Sequence, residues 1–241
     1  ITWLIAIFGI LWYSKKIVTE KTPFDKNDVD DFLFYGVLGA IIGGRLGYMF
    51  FYGIEQIFAD PLSILRIWEG GLSFHGGFIG VLVSFFIFSK KLNTGFFDLA
   101  DHIALAFPIG LGFVRIGNFL GGELLGRPTD LPWGMIFWSD PLQISRHPSQ
   151  LYQAFFEGVV LFIILNLLVI KPKPKIFISG MFLALYGSFR IFTEIFRMPD
   201  SHIGFDFLDI ITRGQLLSTP MVIIGLLLIF LSYRNKNETI S

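Results

Sequence analysis

The sequence predicts an all-α, multi-pass membrane protein with about seven transmembrane helices. Of its 241 residues, 53% are hydrophobic and only 16% are charged, whereas soluble domains carry about 25% charged residues. Mean hydropathy is +0.65. Apolar stretches near the length of a span, about 20 residues, recur at roughly 1–13, 31–52, 72–89, 97–119, 148–170, 176–196 and 215–233. The first is short, and a truncated span is expected there, since the chain opens at Ile1 with no cleavable signal-peptide pattern. The longest polar connection, Leu120 to His147, predicts a small extracytoplasmic segment over 120–147, between helices 4 and 5. No repeat or low-complexity linker divides the chain, so 1–241 reads as one integral-membrane domain.

Composition excludes several chemistries. There is no cysteine, so disulfides, thiolate metal sites and a protein thiol nucleophile are ruled out. A net charge of zero suggests no nucleic-acid partner. The sequence contains no H-E-x-x-H, no P-loop and no G-x-S-x-G, so neither a metal nor a cofactor is expected.

Cations set the expected orientation. Of 19 Lys and Arg, Arg45, Arg115 and Arg190 lie within spans. Loops on one side hold Lys15, Lys16, Lys21, Lys26, Lys90, Lys91, Lys171, Lys173, Lys175, Arg234 and Lys236; loops on the other hold Arg66, Arg127, Arg146, Arg197 and Arg213. The lysine-rich side reads as cytoplasmic, with the N terminus outside and the C terminus inside. The outer cations are all arginines, which suits ligand or partner recognition.

In chain order, the second span, FYGVLGAIIGGRLGYMFFY, repeats Gly39, Gly43 and Gly47 every four residues, a pattern for close helix packing. Arg45, Tyr48 and Tyr52 share another face. The third span opens GGLSFHGGFIG around His75. Two readings stand for His75: a hydrogen-bonded structural histidine, or a general base whose flanking glycines allow close approach. The fourth span ends in Arg115, which opens RIGNFLGGELLGRP with Asn118, Glu123, Gly126 and Arg127. A charge at that depth is costly and marks a cavity or a polar ligand.

The fifth span begins RHPSQLYQAFFEG. Pro148 and Ser149 suit a helix start, Gln150, Tyr152 and Glu157 read as structural, and His147 as an exposed loop residue. The sixth span places Tyr186, Arg190, Glu194 and Arg197 within about 80° of one another on a helix. This is either a packing network or an anion-binding stripe, and its charges converge where the chain continues MPDSHIGFD, Met198 to Asp206. In the seventh span, GQLLSTP, Gln215 and Pro220 suit the start of a helix and a kink.

Under this topology Arg45, His75, Arg115, Glu123, Arg190, Glu194 and Arg197 all fall at or above the outer half of the bilayer. The inner halves of the spans are nearly free of charge, unlike a transport path strung through the midplane. An arginine-lined outer-leaflet cavity suits a phospholipid phosphate, with Glu and His nearby to move protons. Direct transfer from lipid to a second substrate is the simplest scheme. An outward-facing lipid or anion transporter and a non-catalytic lipid-binding scaffold are the alternatives.

These motifs resemble the prolipoprotein diacylglyceryl transferase family nearly end to end. The matching segments are GGRLGY (Gly43 to Tyr48), SFHGG (Ser73 to Gly77), RIGNFLGGELLGRP, HPSQLY (His147 to Tyr152), the Tyr186/Arg190/Glu194/Arg197 spacing and GQLLSTP. The resemblance implies a seven-span enzyme of the bacterial inner membrane. It would transfer the diacylglyceryl group of phosphatidylglycerol to the thiol of a lipobox cysteine in a prolipoprotein signal peptide, releasing glycerol 1-phosphate. The cysteine belongs to the substrate. The resemblance further implies His75, Arg115 and Arg190 as catalytic, with Arg115 and Arg190 on the headgroup and His75 as base. It adds Asn118, Glu123, Gly126, Tyr186, Glu194, Arg197 and Arg45 as phosphatidylglycerol-binding residues. Expected partners are that lipid, the signal peptide and bulk membrane lipid, and the enzyme is expected to be a monomer. The chain departs from the family pattern at Leu4, Gly121, Gln153 and Arg213.

Overall fold

Helices form where the apolar stretches predict them. The computed structural model describes residues 1–19, 22–198, 205–207 and 211–234, with the side chains of Trp3, Phe74, His75, Arg213 and residues 205–207 and 211 excluded. The principal helices are α1 (Thr2–Lys16), α2 (Lys26–Tyr52), α3 (Phe74–Lys91), α4 (Phe96–Leu120), α5 (Ser149–Leu168), α6 (Phe177–Glu194) and α7 (Arg213–Arg234). Among the described residues, four are long and apolar enough to cross a membrane: α2, α4, α5 and, over Gly214–Arg234, α7. At 15 residues, α1 is shorter than the roughly 20 a span requires.

Local chemistry sets the helix starts. Asp25 caps α2: its side chain accepts from the amides of Asn27 and Asp28, and the Asp28 side chain in turn accepts from the Asp25 amide, a capping box. Ser73 caps α3 by accepting from the Gly76 amide at 3.3 Å. α5 is regular at its ends, but Ala154–Val160 is wound as a π-helix. Between α2 and α3 lie a short helix, Ile54–Ala59, and two 3-10 turns, Pro61–Leu65 and Ile67–Glu69. Two small antiparallel ladders also form, β1 (Met135–Ile136) with β2 (Ser145–Arg146), and β3 (Phe205–Phe207) with β4 (Ile211–Thr212).

Chain contacts gather into two compact units, Ile17–Leu99 and Ile1–Lys16 with Ala100–Ser241. In the first, α2 and α3 meet through glycines. A Cβ on Gly43 would lie 2.8 Å from the Gly80 Cα, and one on Gly47 2.8 Å from the Gly76 Cα, so only hydrogen fits at these crossings. In the second, Ala104, Leu161, Leu165, Phe177 and Ile178 form a buried core. Many large apolar side chains face outward, among them Phe8, Trp12, Ile163, Leu167 and Phe230. That is the surface of a protein solvated by lipid.

Candidate functional site

Where α4 and α5 cross, Gly158 and Gly112 touch: a Cβ on Gly158 would lie 2.7 Å from the Gly112 Cα. This approach brings Arg115, one turn past Gly112, to Glu157, the neighbour of Gly158. Arg115 Nε lies 3.1 Å from Glu157 Oε2. From α6, Arg190 Nη1 lies 3.7 Å from Glu157 Oε1, and Thr193 Oγ1 donates to that oxygen at 3.3 Å. Arg190 Nη2 is 3.0 Å from Glu194 Oε2, and Arg197 Nη1 is 3.8 Å from the same atom. Tyr186 sits within electrostatic reach of Glu157, Arg115 and Arg190. The Glu157 side chain is fully buried and those of the three arginines are at most 14% exposed.

Three guanidiniums thus surround two carboxylates. Charges in a low-dielectric interior interact far more strongly than in water, and among the described residues the group holds three cations to two anions. Such a cluster is suited to receive an anion, and the planar arginine fork suits phosphate oxygens. Gly214 keeps the cluster tight from the α7 side, because a Cβ there would lie 2.6 Å from the Glu194 carboxylate.

The segment after α4 folds back over this region. Asn118 Nδ2 donates to Glu123 Oε2 at 2.9 Å, and the Glu123 carbonyl accepts from Gln150 Nε2 at 2.5 Å. The turn is left-handed at Gly122 (φ 65°) and at Leu124 (φ 56°), an uncommon conformation for leucine; Ser149 Oγ holds it by donating to the Leu124 carbonyl at 3.2 Å. Gly126 then pairs with Arg197 in an antiparallel bridge, flanked by Met198 N to Leu125 O at 3.0 Å and Arg127 N to Phe196 O at 2.9 Å. A side chain at Gly126 would run into the His147 carbonyl. Farther along the chain, Arg146 grips Asp140 through two bonds, Nε to Oδ2 at 2.8 Å and Nη2 to Oδ1 at 3.0 Å.

The structure therefore gathers Arg115, Arg190, Glu194, Arg197 and Tyr186 into one cluster and sets Asn118, Glu123 and Gly126 along the segment beside it. Arg45 belongs to the other unit and is 3% exposed. Its guanidinium donates to the Ser63 carbonyl at 2.6 Å, to Ile64 at 3.2 Å and to Gly70. Those bonds tie down irregular backbone and occupy the nitrogens that a phosphate would need. His75 lies in α3, but its side chain is outside the described residues, as are residues 199–204 after Met198.

Two arginines of the lysine-poor loops have acidic partners: Arg66 pairs with Asp60 and Glu69, and Arg146 is 2% exposed against Asp140. His147 is half-buried, not exposed, with Nδ1 3.2 Å from the Tyr152 hydroxyl and its ring against Phe196. Glu157, read from the sequence as structural polarity, lies at the centre of the cluster, bridging Arg115 and Arg190. An acid alone in an apolar span, next to a glycine, was the available signal.

A model of the prolipoprotein diacylglyceryl transferase family matches residues 1–231. The chain belongs to this family. The phosphatidylglycerol–prolipoprotein diacylglyceryl transferase of Aeromonas hydrophila subsp. hydrophila is 50% identical over 235 residues, covering 96% of this chain and 85% of the relative. The enzyme of that name from Pseudomonas syringae pv. syringae is 47% identical over 235 residues, covering 96% and 87%. A third, from Marinomonas sp., is 54% identical over 197 residues, covering 82% and 73%. The family match takes in α1 through α6 and most of α7, and so every residue of the Glu157 cluster.

Proposed function

We propose that this member of the family is a phosphatidylglycerol–prolipoprotein diacylglyceryl transferase, catalysing the first step of bacterial lipoprotein maturation. The single observation that carries the chemistry is the gathering of Arg115, Arg190 and Arg197 around the buried carboxylates of Glu157 and Glu194. In the reaction, the substrate cysteine sulfur bonds to the terminal glycerol carbon of the diacylglyceryl group. The bond between that carbon and the phosphate oxygen breaks, and its electron pair leaves on glycerol 1-phosphate. Charge grows on the leaving phosphate, and Arg115 and Arg190 offset it. The thiol proton passes to a base, for which we propose His75.

In this reading Asn118, Glu123, Gly126, Tyr186, Glu194 and Arg197 shape the headgroup site, whereas Arg45 braces the backbone around residues 63–71. The chain acts as a monomer, as one domain of seven spans in the bacterial inner membrane. Its N terminus is outside, its C terminus inside, and 120–147 forms the extracytoplasmic segment. The lysine-rich loops support this orientation.

The test is a mass measurement. Purified enzyme in phosphatidylglycerol nanodiscs is incubated with a lipobox peptide; the expected product is the peptide plus one diacylglyceryl group, absent when serine replaces the cysteine. Arg115→Ala is expected to insert normally and lose this activity. Turnover by Arg115→Ala at the wild-type rate would remove Arg115 from the mechanism, and lipid movement without a mass shift would favour a transporter.

A further inference from the structure

Two glutamines of α5 and one asparagine of α4 carry buried hydrogen-bonding atoms that have no partner among the described residues. Gln150 is 0% exposed and Gln153 is 1% exposed. Gln150 Nε2 donates to the Glu123 carbonyl, which fixes the nitrogen end of that amide, because a carbonyl only accepts. Its Oε1 is buried without a hydrogen-bond partner. Asn118 repeats the pattern: Nδ2 donates to the Glu123 carboxylate, and Oδ1 is buried and unpartnered. For Gln153 neither Oε1 nor Nε2 has a hydrogen-bond partner among the described residues. Buried amides are normally paired, so three at one place ask for a ligand.

Their place is the arginine cluster. Gln150 and Gln153 lie one turn apart on α5, Glu157 follows four residues on, within the π-wound stretch, and all three are buried. Glu157 is the carboxylate that Arg115 and Arg190 share. Asn118 lies one turn past Arg115 on α4. The chemistry of the open atoms is lopsided. Three are carbonyl oxygens, and one, Gln153 Nε2, is a neutral donor. Phosphate oxygens would be repelled by the carbonyls and attracted by the guanidiniums. Carbonyl oxygens call for donors, and Gln153, offering both an acceptor and a donor, matches a hydroxyl, which is both.

We infer that Gln153, with Gln150 and Asn118, forms a hydroxyl-reading subsite beside the arginines, which selects phospholipids whose phosphate carries a hydroxyl-bearing headgroup. This rests on the transferase reading and assigns these residues to the glycerol end of phosphatidylglycerol. Gln153 is then a specificity-determining residue, because its loss leaves the arginine contacts in place.

The experiment compares two lipids of equal charge, phosphatidylglycerol and phosphatidylpropanol, which lacks the headgroup hydroxyls. Wild-type enzyme in nanodiscs is expected to favour phosphatidylglycerol in kcat/KM by about tenfold or more, since a site built to bond a hydroxyl rejects the analogue without one. Gln153→Met is expected to lose about tenfold on phosphatidylglycerol and little on phosphatidylpropanol, collapsing the preference. Gln153→Glu, still an acceptor, is expected to keep it.

Equal use of both lipids by the wild type overturns the inference without any variant. So does a Gln153→Met enzyme that slows equally on both, or one whose only change is a raised KM for the peptide, which would assign the amide to the peptide backbone. If no transfer to the peptide occurs at all, the transferase reading fails. Native mass spectrometry of lipid retention then still decides the subsite: preferential retention of phosphatidylglycerol supports it, and equal retention removes it.

Discussion

Glu157 Oε2 lies 3.1 Å from Arg115 Nε, while Oε1 of the same carboxylate lies 3.7 Å from Arg190 Nη1. One buried acid therefore spaces two guanidiniums contributed by different helices. Removing the negative charge of a buried ion pair costs about 3–5 kcal/mol, because the partner charge is left uncompensated. Glu157→Gln, which keeps the shape, should lower the thermal denaturation midpoint in detergent and reduce transfer. An unchanged midpoint would mean that the carboxylate does not brace the arginines.

Arg190→Lys tests whether the fork or only the charge matters. Lysine preserves the positive charge but not the planar donor pair that Arg190 presents to Glu157 and Glu194 and, in the proposed reaction, to the lipid phosphate. Transfer is expected to fall by about 10²–10³-fold, the range for losing one donor to a developing negative charge, with little change in denaturation midpoint. Activity within a fewfold of wild type would reduce Arg190 to a point charge.

The contact between α2 and α3 makes a contrasting prediction about stability. A methyl at Gly80 would drive into the Gly39 carbonyl, which is backbone and cannot swing aside. Gly80→Ala should destabilise by about 1–3 kcal/mol, read as a shift in thermal midpoint. At Gly70, by contrast, φ is 82° and a methyl would find no other atom within 4 Å, so Gly70→Ala meets only backbone strain and should cost about 1 kcal/mol. Equal shifts for the two would contradict the packing argument.

The Asp140–Arg146 pair gives the segment between α4 and α5 an acid limit. Hydrogen bonds from Arg146, opposed by desolvation and aided by the amides of Leu142 and Ile144, hold the Asp140 carboxyl below its ordinary value. Its contribution is thus present above about pH 3.9, the unfolded value, and lost as pH falls through the lower folded value. Protease protection of residues 120–147 should persist to about pH 4 and decline below it. Asp140→Asn should lower protection at neutral pH and remove that acid step; a wild-type profile in the variant would exclude the pair as its cause.

The helical face of Tyr186, Arg190, Glu194 and Arg197 was legible because one helix carries it and charges are conspicuous in apolar sequence. Glu157 was not, because its partners come from α4 and α6, and a single acid in FFEG shows nothing of them. Arg45 marks the opposite limit. In sequence it looks like Arg115, an arginine in an apolar span, but its partners are carbonyls of irregular backbone near residues 63–71. No side-chain pattern announces carbonyl partners. The glycines at 39, 43 and 47 were readable because their spacing matches the helical repeat, whereas Gly112 and Gly158 work as a pair whose members are far apart in the chain.

The π-wound stretch of α5, Ala154–Val160, makes that helix sensitive to chain length as well as to composition. A π turn accommodates an extra residue relative to an α turn. Deleting Val159 or Val160 would let the stretch relax to α geometry and rotate the N-terminal part of the helix by about 100° relative to its C-terminal part. Gln150, Gln153 and Glu157 would then turn together relative to Leu161 and Leu165, which anchor the rest of the helix in the core, even though their own side chains were unchanged.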